Sequence, residues 1–242
     1  MALHFVVESS SEAAVGDVVS LTGAEAKHAA VVRRLRVGEA VTIGDGAGVW
    51  LAGLVEDVSA VRVDVRITER RVADPVPSRL VLVQALAKGD RDELAVQAAC
   101  ELGVDEIVPW QASRSISRWE GPKAVKGRER WAAIVREAAK QAHRAWVPEV
   151  TAPVSTAQLA ERAASQRLLL LDPTATIRLS DLNPDERDIV LVVGPEGGIA
   201  DDELKRLSKA GAERVLLGDT VLRTSTAGPA AIAVLNVALG RW

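Results

Sequence analysis

An apolar run, Ile189-Val190-Leu191-Val192-Val193, breaks into Gly194-Pro195-Glu196-Gly197-Gly198 and then into Ile199-Ala200-Asp201-Asp202-Glu203-Leu204. The pattern predicts a buried strand, a glycine-rich turn, and a helix that Asp201 or Asp202 caps, with Glu203 adding negative charge to its first turn. Glycines at such a junction let the backbone approach a ligand closely or take positive φ. In a parallel sheet this edge is where small molecules bind. No Lys-Ser or Lys-Thr follows the glycines and the spacing is not G-x-G-x-x-G, which disfavours a phosphate cradle. Two readings are left: a ligand held by backbone amides and carbonyls, such as an adenosine moiety, or a tight turn with no ligand.

A second junction follows some twenty residues on. Val215-Leu216-Leu217-Gly218 passes through Asp219-Thr220-Val221-Leu222-Arg223 into a terminal helix that opens Thr224-Ser225-Thr226. Each of those three hydroxyl residues is a candidate cap. Ala227, Gly228, Ala230, Ala231 and Ala233 are small enough for close backbone packing. Arg223 is the only charge in the 221–227 stretch, so it is either a site for negative charge on a substrate or a solvated arginine at a loop end.

Other chemistries find little support. Cys100, the single cysteine, lies at helical spacing among Leu94, Ala99 and Leu102, as a buried structural thiol would. It leaves no disulfide and no cysteine-rich metal site, and it is poorly placed to be an activated nucleophile. His4, His28 and His143 are the only histidines, and no cluster has metal-ligand spacing, so no metal is expected. His28 reads as partner-facing or structural. His143, beside Arg144, reads as solvated or partner-facing.

The elements that must position these residues fall into two groups. Ala40–Ile43 and Val49–Val55 flank a glycine-rich turn that suits a hairpin, and Val61–Ile67 alternates with period two. Ala24–Arg36 predicts a short helix with Gly38 beyond its end. Ala73-Asp74-Pro75-Val76-Pro77-Ser78 is a linker candidate, because two prolines in three residues resist helix and central strand. After it, apolar runs at Leu80–Leu86, Glu106–Trp110, Leu168–Leu171, Ile189–Val193 and Val215–Leu217 alternate with helical stretches, among them Asp92–Leu102 and Arg128–Ala145. That alternation predicts a parallel sheet covered on both faces. The expected domains are 1–73 and 79–242.

The 242-residue chain is 48% hydrophobic with a net charge of −3, which does not by itself announce a nucleic-acid binder. Its 3% aromatic content, with no Tyr, argues against a sheet that stacks bases on aromatic rows. Residues 1–73 hold 8 basic and 10 acidic side chains, whereas 113–144 holds nine basic against three acidic. The second stretch would attract phosphates if the fold gathers it on one face, and otherwise is a solvated, ion-paired helix surface. No signal peptide or membrane span is evident, so a soluble cytoplasmic protein is expected.

Read in order, a set of short blocks resembles the RsmE branch of the SPOUT RNA methyltransferases. The blocks are His28, Arg34, Val37-Gly38-Glu39 to Asp45-Gly46, Lys88-Gly89-Asp90-Arg91, Glu101-Leu102-Gly103-Val104, Arg114-Ser115 and Glu137–Gln141 with Arg144. They continue through Val147-Pro148-Glu149-Val150, Gly194–Gly198 and Leu217-Gly218 to Leu222-Arg223-Thr224. The resemblance implies a PUA-like β-barrel that helps bind RNA, then an α/β domain with a parallel sheet and a C-terminal trefoil knot, a rare topology. It implies S-adenosylmethionine (SAM) held at Leu171, Gly194, Pro195, Glu196, Gly197, Gly198, Leu217, Gly218, Leu222 and Thr224. RNA contacts are implied at His28, Arg34, Lys88, Arg91, Arg114, Arg118 and Arg144. It further implies a homodimer that methylates N3 of a uridine in 16S ribosomal RNA of the small subunit, with Arg223 the catalytic candidate. One departure stands out: Ser225 occupies a position where the family often has Glu, so no general base is assigned. A SPOUT enzyme acting on tRNA or 23S RNA at ribose 2′-O is the rival enzyme, and a non-catalytic RNA-binding module is the other; the β-rich N-terminus and Lys88–Arg91 favour the first assignment.

Overall fold

Alternating apolar side chains build the N-terminal unit of the computed structural model, which describes residues 2–242; this unit runs to Pro75 and takes in Ala139–Val147. Its elements are β1 (Leu3–Val6), β2 (Val18–Thr22), α1 (Gly23–Lys27), β3 (Ala40–Gly44), β4 (Val49–Val58) and β5 (Arg62–Val72). The five strands form one sheet in the order β1-β3-β4-β5-β2, parallel only between β1 and β3. Along β5, Val63, Val65 and Ile67 are buried with Phe5, Leu21, Ile43 and Leu51, while Arg62 and Arg66 face out. Two register shifts in the β4–β5 ladder curl the sheet around this core. At the first of them Gly53 is required: a Cβ there would lie 2.6 Å from the Arg66 carbonyl oxygen.

The predicted Ala24–Arg36 helix is corrected. Regular α-helix stops at Lys27, and His28–Val32 continues as a wider π-turn in which Arg33 N–H donates to His28 O. Arg34 then takes φ +54°, ending the helix. The wide turn and the left-handed residue bring Leu35 into the core, its N–H donating to Ala29 O, while Val31 and Val32 stay exposed. The half-buried ring of His143 lies 5.8 Å from that of His4, which is buried and stacked on Trp50 at 4.2 Å. Burial, followed by the nearby His143 and Lys140, pushes His4 down to about 4, so it is neutral at physiological pH.

The second unit holds Val76–Ala138 and Pro148–Trp242. Here β6 (Leu80–Ala85), α2 (Arg91–Glu101), β7 (Glu106–Trp110), α3 (Pro122–Gln141), β8 (Glu149–Val150) and α4 (Thr156–Arg162) precede β9 (Arg167–Leu171) and β10 (Ile177–Arg178). They are followed by β11 (Ile189–Val193), α5 (Asp201–Lys209), β12 (Glu213–Leu216) and α6 (Thr224–Ala238). Seven strands pair in the order β10-β12-β9-β11-β6-β7-β8, all parallel. The central strands β6 and β11 are buried along their whole length, as the continuous apolar runs require when helices cover both faces.

Helix α3 corrects a second boundary, since it begins at Pro122 and ends at Gln141 instead of running Arg128–Ala145. Proline suits the first helical position. Gly127, a poor helix former, is tolerated inside because Trp119 packs against it; a Cβ there would lie 2.5 Å from Trp119 Cε2. The small residues of α6 have the expected consequence. A Cβ at Gly228 would already stand 3.2 Å from Leu82 Cδ1, and buried Asn236 donates from Nδ2 to Leu102 O. Among the described residues, no helix is long and apolar enough to cross a membrane.

Candidate functional site at the strand ends

Three strands of the second unit, β9, β11 and β12, end beside one another, and the loops that leave them enclose a cavity of about 590 Å³. The first loop carries Leu171 and Asp172, the second Gly194–Ile199, the third Leu217–Thr224. Apolar walls come from Leu171, Val193, Ile199, Leu204, Leu217 and Leu222. That size and lining suit a ligand of drug or cofactor dimensions, roughly 300–1,000 Å³ for such sites.

Each loop has its own brace. Asp172 accepts from Thr174 N–H and Oγ1–H, each at 2.8 Å, and from Arg214 Nε at 2.6 Å. Burial alone would push this carboxyl up, but the Thr174 amide and the Arg214 guanidinium outweigh it and hold the group below the usual carboxylate range. The glycine turn is held from outside by Glu196, which accepts from Lys88 N–H and Arg91 Nη1 at 3.1 Å each. Burial again raises and these donors lower, with a net lowering that keeps Glu196 ionised. Arg114 Nη1 donates to Gly197 O at 3.0 Å and to Ile199 O at 3.4 Å, a second clamp on the same turn.

The helix caps are corrected here. Neither Asp201 nor Asp202 caps α5; Ala200 is the cap position, and the carboxylate of Glu203 accepts the Ala200 N–H at 3.3 Å. Buried Glu203 also accepts from Ser113 N–H, Ser113 Oγ–H and Thr156 Oγ1–H, so it ties the 113–118 loop to the glycine turn. Nor does Thr224, Ser225 or Thr226 cap α6, whose cap position is Arg223. Thr224 Oγ1 instead donates to Gly194 O at 2.9 Å and accepts from Gln84 Nε2 at 2.9 Å. One hydroxyl therefore joins the second and third loops at their roots, with fully buried Gln84 on β6 behind it.

Of the expected cofactor positions, Leu171, Gly194, Pro195, Glu196, Gly198, Leu217, Gly218, Leu222 and Thr224 line the cavity, and Gly197 lies behind it against Arg114. Arg223 lines it too, exposed, its guanidinium without a hydrogen bond or ion pair to any described residue. The expected RNA residues divide. Arg91 and Arg114 line the cavity and brace the glycine turn, Lys88 is exposed nearby in sequence, and Arg118 donates to Ser113 O. His28, Arg34 and Arg144 belong to the N-terminal unit. Cys100 is buried and donates to Val135 O, away from any role as a nucleophile at the cavity.

Sequence reasoning missed the bracing roles of Asp172, Gln84 and Glu203. Two of them left a signal. Asp172-Pro173-Thr174 has the composition of a turn in which Asp accepts the amide two residues on, and Gln84 is the one polar residue inside the Leu80–Leu86 run. Such a residue, fully buried, needs a polar partner.

Comparisons with known proteins agree with this architecture. Residues 74–236 match the family described as RNA methyltransferase domain, and residues 21–68 match the one described as RNA methyltransferase PUA domain. Ribosomal RNA small subunit methyltransferase E of Mycobacterium bovis is 42% identical over 248 residues, spanning 100% of this chain and 94% of that protein. The Bacillus subtilis protein of the same name is 28% identical, over 98% of this chain and 96% of its own. Among solved structures, ribosomal RNA small subunit methyltransferase E from Neisseria gonorrhoeae, bound to S-adenosyl methionine, superposes with a TM-score of 0.88 at 30% identity, covering 98% of each chain.

Proposed function

Because the chain belongs to the family of ribosomal RNA small subunit methyltransferase E, we propose that it transfers a methyl group from SAM to N3 of a uridine in 16S ribosomal RNA. The observation that carries this is the cavity at the ends of β9, β11 and β12. It has apolar walls for an adenosine and a backbone-lined glycine turn, and two of its three arginines, Arg91 and Arg114, are engaged with that turn. A Cβ at Gly218 would meet nothing within 4 Å, which leaves the third loop open to a ligand. The residues present fit SAM, with Leu171, Gly194–Gly198 and Leu217–Leu222 as its holders. Bound there, it would supply an electrophilic methyl on a sulfonium, with the neutral thioether as leaving group.

The chain's own residues do the rest. N3 of uridine must lose its proton, to water since no side chain is assigned as its base, before it attacks, and the negative charge of the deprotonated ring spreads onto the neighbouring oxygens. Arg223, unpartnered and lining the cavity, is free to turn its guanidinium to that charge and stabilises it. Arg91 and Arg114 hold the glycine turn and leave Arg223 as the cavity arginine without a protein partner. With Cys100 buried, a covalent route to C5 lacks its nucleophile. We propose further that the stretch from β12 to α6 threads the 172–188 stretch as a trefoil knot, in keeping with the return of α6 to α2 and β6. A crystallographic trace of 172–224 without threading would remove that element.

Incubation with labelled SAM and small-subunit particles, followed by nucleoside mass spectrometry, tests the reaction. The expected product is 3-methyluridine. A 2′-O-methyl or 5-methyl product in its place would overturn the assignment of the atom. The protein should also be a twofold dimer, since Val221 in the loop before α6 and Val237 in its last turn are 80% and 65% exposed and homo-oligomers most often close as symmetric pairs. Light scattering is expected to report twice the chain mass; a monomer with full activity would remove the dimer.

A further inference from the structure

Six charged side chains line the cavity at the ends of β9, β11 and β12, and the fold occupies four of them. Arg91 pairs with Glu196, Arg114 donates to Gly197 O and Ile199 O, and Asp172 accepts from Thr174 and Arg214. Arg223 and Asp201 are left. Both are exposed, and their side chains make no hydrogen bond or ion pair with any described residue, nor with each other.

Asp201 opens α5, and Leu204, three positions on, lies on the same side of that helix and lines the same cavity. Asp202, also exposed and next in the chain, is not among the lining residues. Negative charge in a first turn favours a helix whatever else it does, and α5 already has Asp202 and Glu203 there. Helix stability therefore does not require a third carboxylate at the wall of a largely apolar cavity, with no cation of the protein to meet it.

We infer that Asp201 binds the ammonium group of the methionine part of SAM, so that the cavity selects ligands carrying an amino-acid tail as well as an adenosine. This rests on the reading of the cavity as a SAM site and adds a residue to it. SAM has two positive groups, the sulfonium and the ammonium, and methyl transfer treats them differently. The sulfonium loses its charge as the methyl leaves. A carboxylate held against it would stabilise the ground state more than the transition state and slow the reaction. The ammonium keeps its charge throughout and offers three N–H donors, so a carboxylate there strengthens binding without opposing transfer. The demethylated product keeps the same ammonium, and Asp201 holds donor and product alike.

The test is calorimetry on the full chain with SAM, with S-adenosylhomocysteine, which has the ammonium but no sulfonium, and with 5′-methylthioadenosine, which has neither. Wild type is compared with Asp201→Asn and with Asp202→Asn, the neighbouring charge-loss control, and circular dichroism establishes that each is folded. Asp201→Asn should lose about tenfold in affinity for SAM and for S-adenosylhomocysteine alike, as a charge-assisted hydrogen bond becomes a neutral one. Its affinity for 5′-methylthioadenosine, and that of Asp202→Asn for all three ligands, should stay within about twofold of wild type, since neither case breaks such a bond. Wild-type affinity of Asp201→Asn for SAM overturns the assignment. A loss confined to SAM would put the carboxylate at the sulfonium. An equal loss for 5′-methylthioadenosine would mean a disturbed turn, and an equal loss in Asp202→Asn the field of the helix terminus. Each of these overturns it too. A wild-type protein that binds none of the three ligands removes the SAM reading itself, and the role of Asp201 with it.

Discussion

Replacing Arg223 by alanine should lower the methyl-transfer rate by about a hundredfold or more, the usual loss when one preorganised donor to a developing anion is removed. SAM affinity should stay within a few-fold, and the fold should be intact, because the side chain is exposed and makes no bond to a described residue. Its backbone at the cap position of α6, φ −70° and ψ 153°, is one that alanine adopts without strain. Single-turnover measurement at saturating RNA separates the outcomes. A fall in rate with little change in RNA affinity marks an interaction made in the transition state. An increase in KM with the rate preserved would mean that Arg223 only binds RNA, and the catalytic assignment would be withdrawn.

Gly198→Val should weaken SAM binding by at least about tenfold, the equivalent of about 1.4 kcal/mol. The obstacle is the backbone, since Gly198 has φ +71° while a Cβ there would find only Arg114 Nη1, at 4.0 Å. A β-branched residue strongly resists left-handed φ, so the turn must flip. Flipping moves the carbonyls of Gly197 and Ile199, on which Arg114 sits, and displaces the backbone that faces the cavity. Gly198→Asn should lose much less, because asparagine enters the left-handed region more readily. Calorimetry is the measurement, with circular dichroism to establish that the variant is folded. A folded Gly198→Val protein with wild-type SAM affinity would mean that the turn does not hold the cofactor.

The same residues show what could be read in advance. The Gly194–Gly198 and Leu217–Arg223 junctions were legible because they interrupt apolar runs with residue types that only a turn requires, and both line the cavity. The cap assignments failed because Asp201, Asp202 and Thr224 lie inside their helices, one or two positions past the cap; Glu203 accepts the Ala200 N–H instead, and Thr224 is spent on Gln84 and Gly194. Arg114 and Arg118, surface charges within a basic stretch by sequence, are engaged with loop carbonyls in the fold.

The apolar strands of the parallel sheet, the helices between them and the chemical character of the cavity walls were determined by the sequence itself, since periodicity, glycine placement and apolar runs act between near neighbours along the chain. Tertiary structure alone decided which side chains brace the site. Gln84 meets Thr224 across 140 positions and Ser113 meets Glu203 across 90. Partnerships of that kind have no local period to betray them. They follow from burial: once packing removes Gln84 and Glu203 from water, each must find donors or acceptors among whatever the fold has brought within about 3 Å, the distance of a hydrogen bond. The π-turn before Arg34 has the same origin, because the need to bury Leu35 outweighs the helical preference of the residues before it.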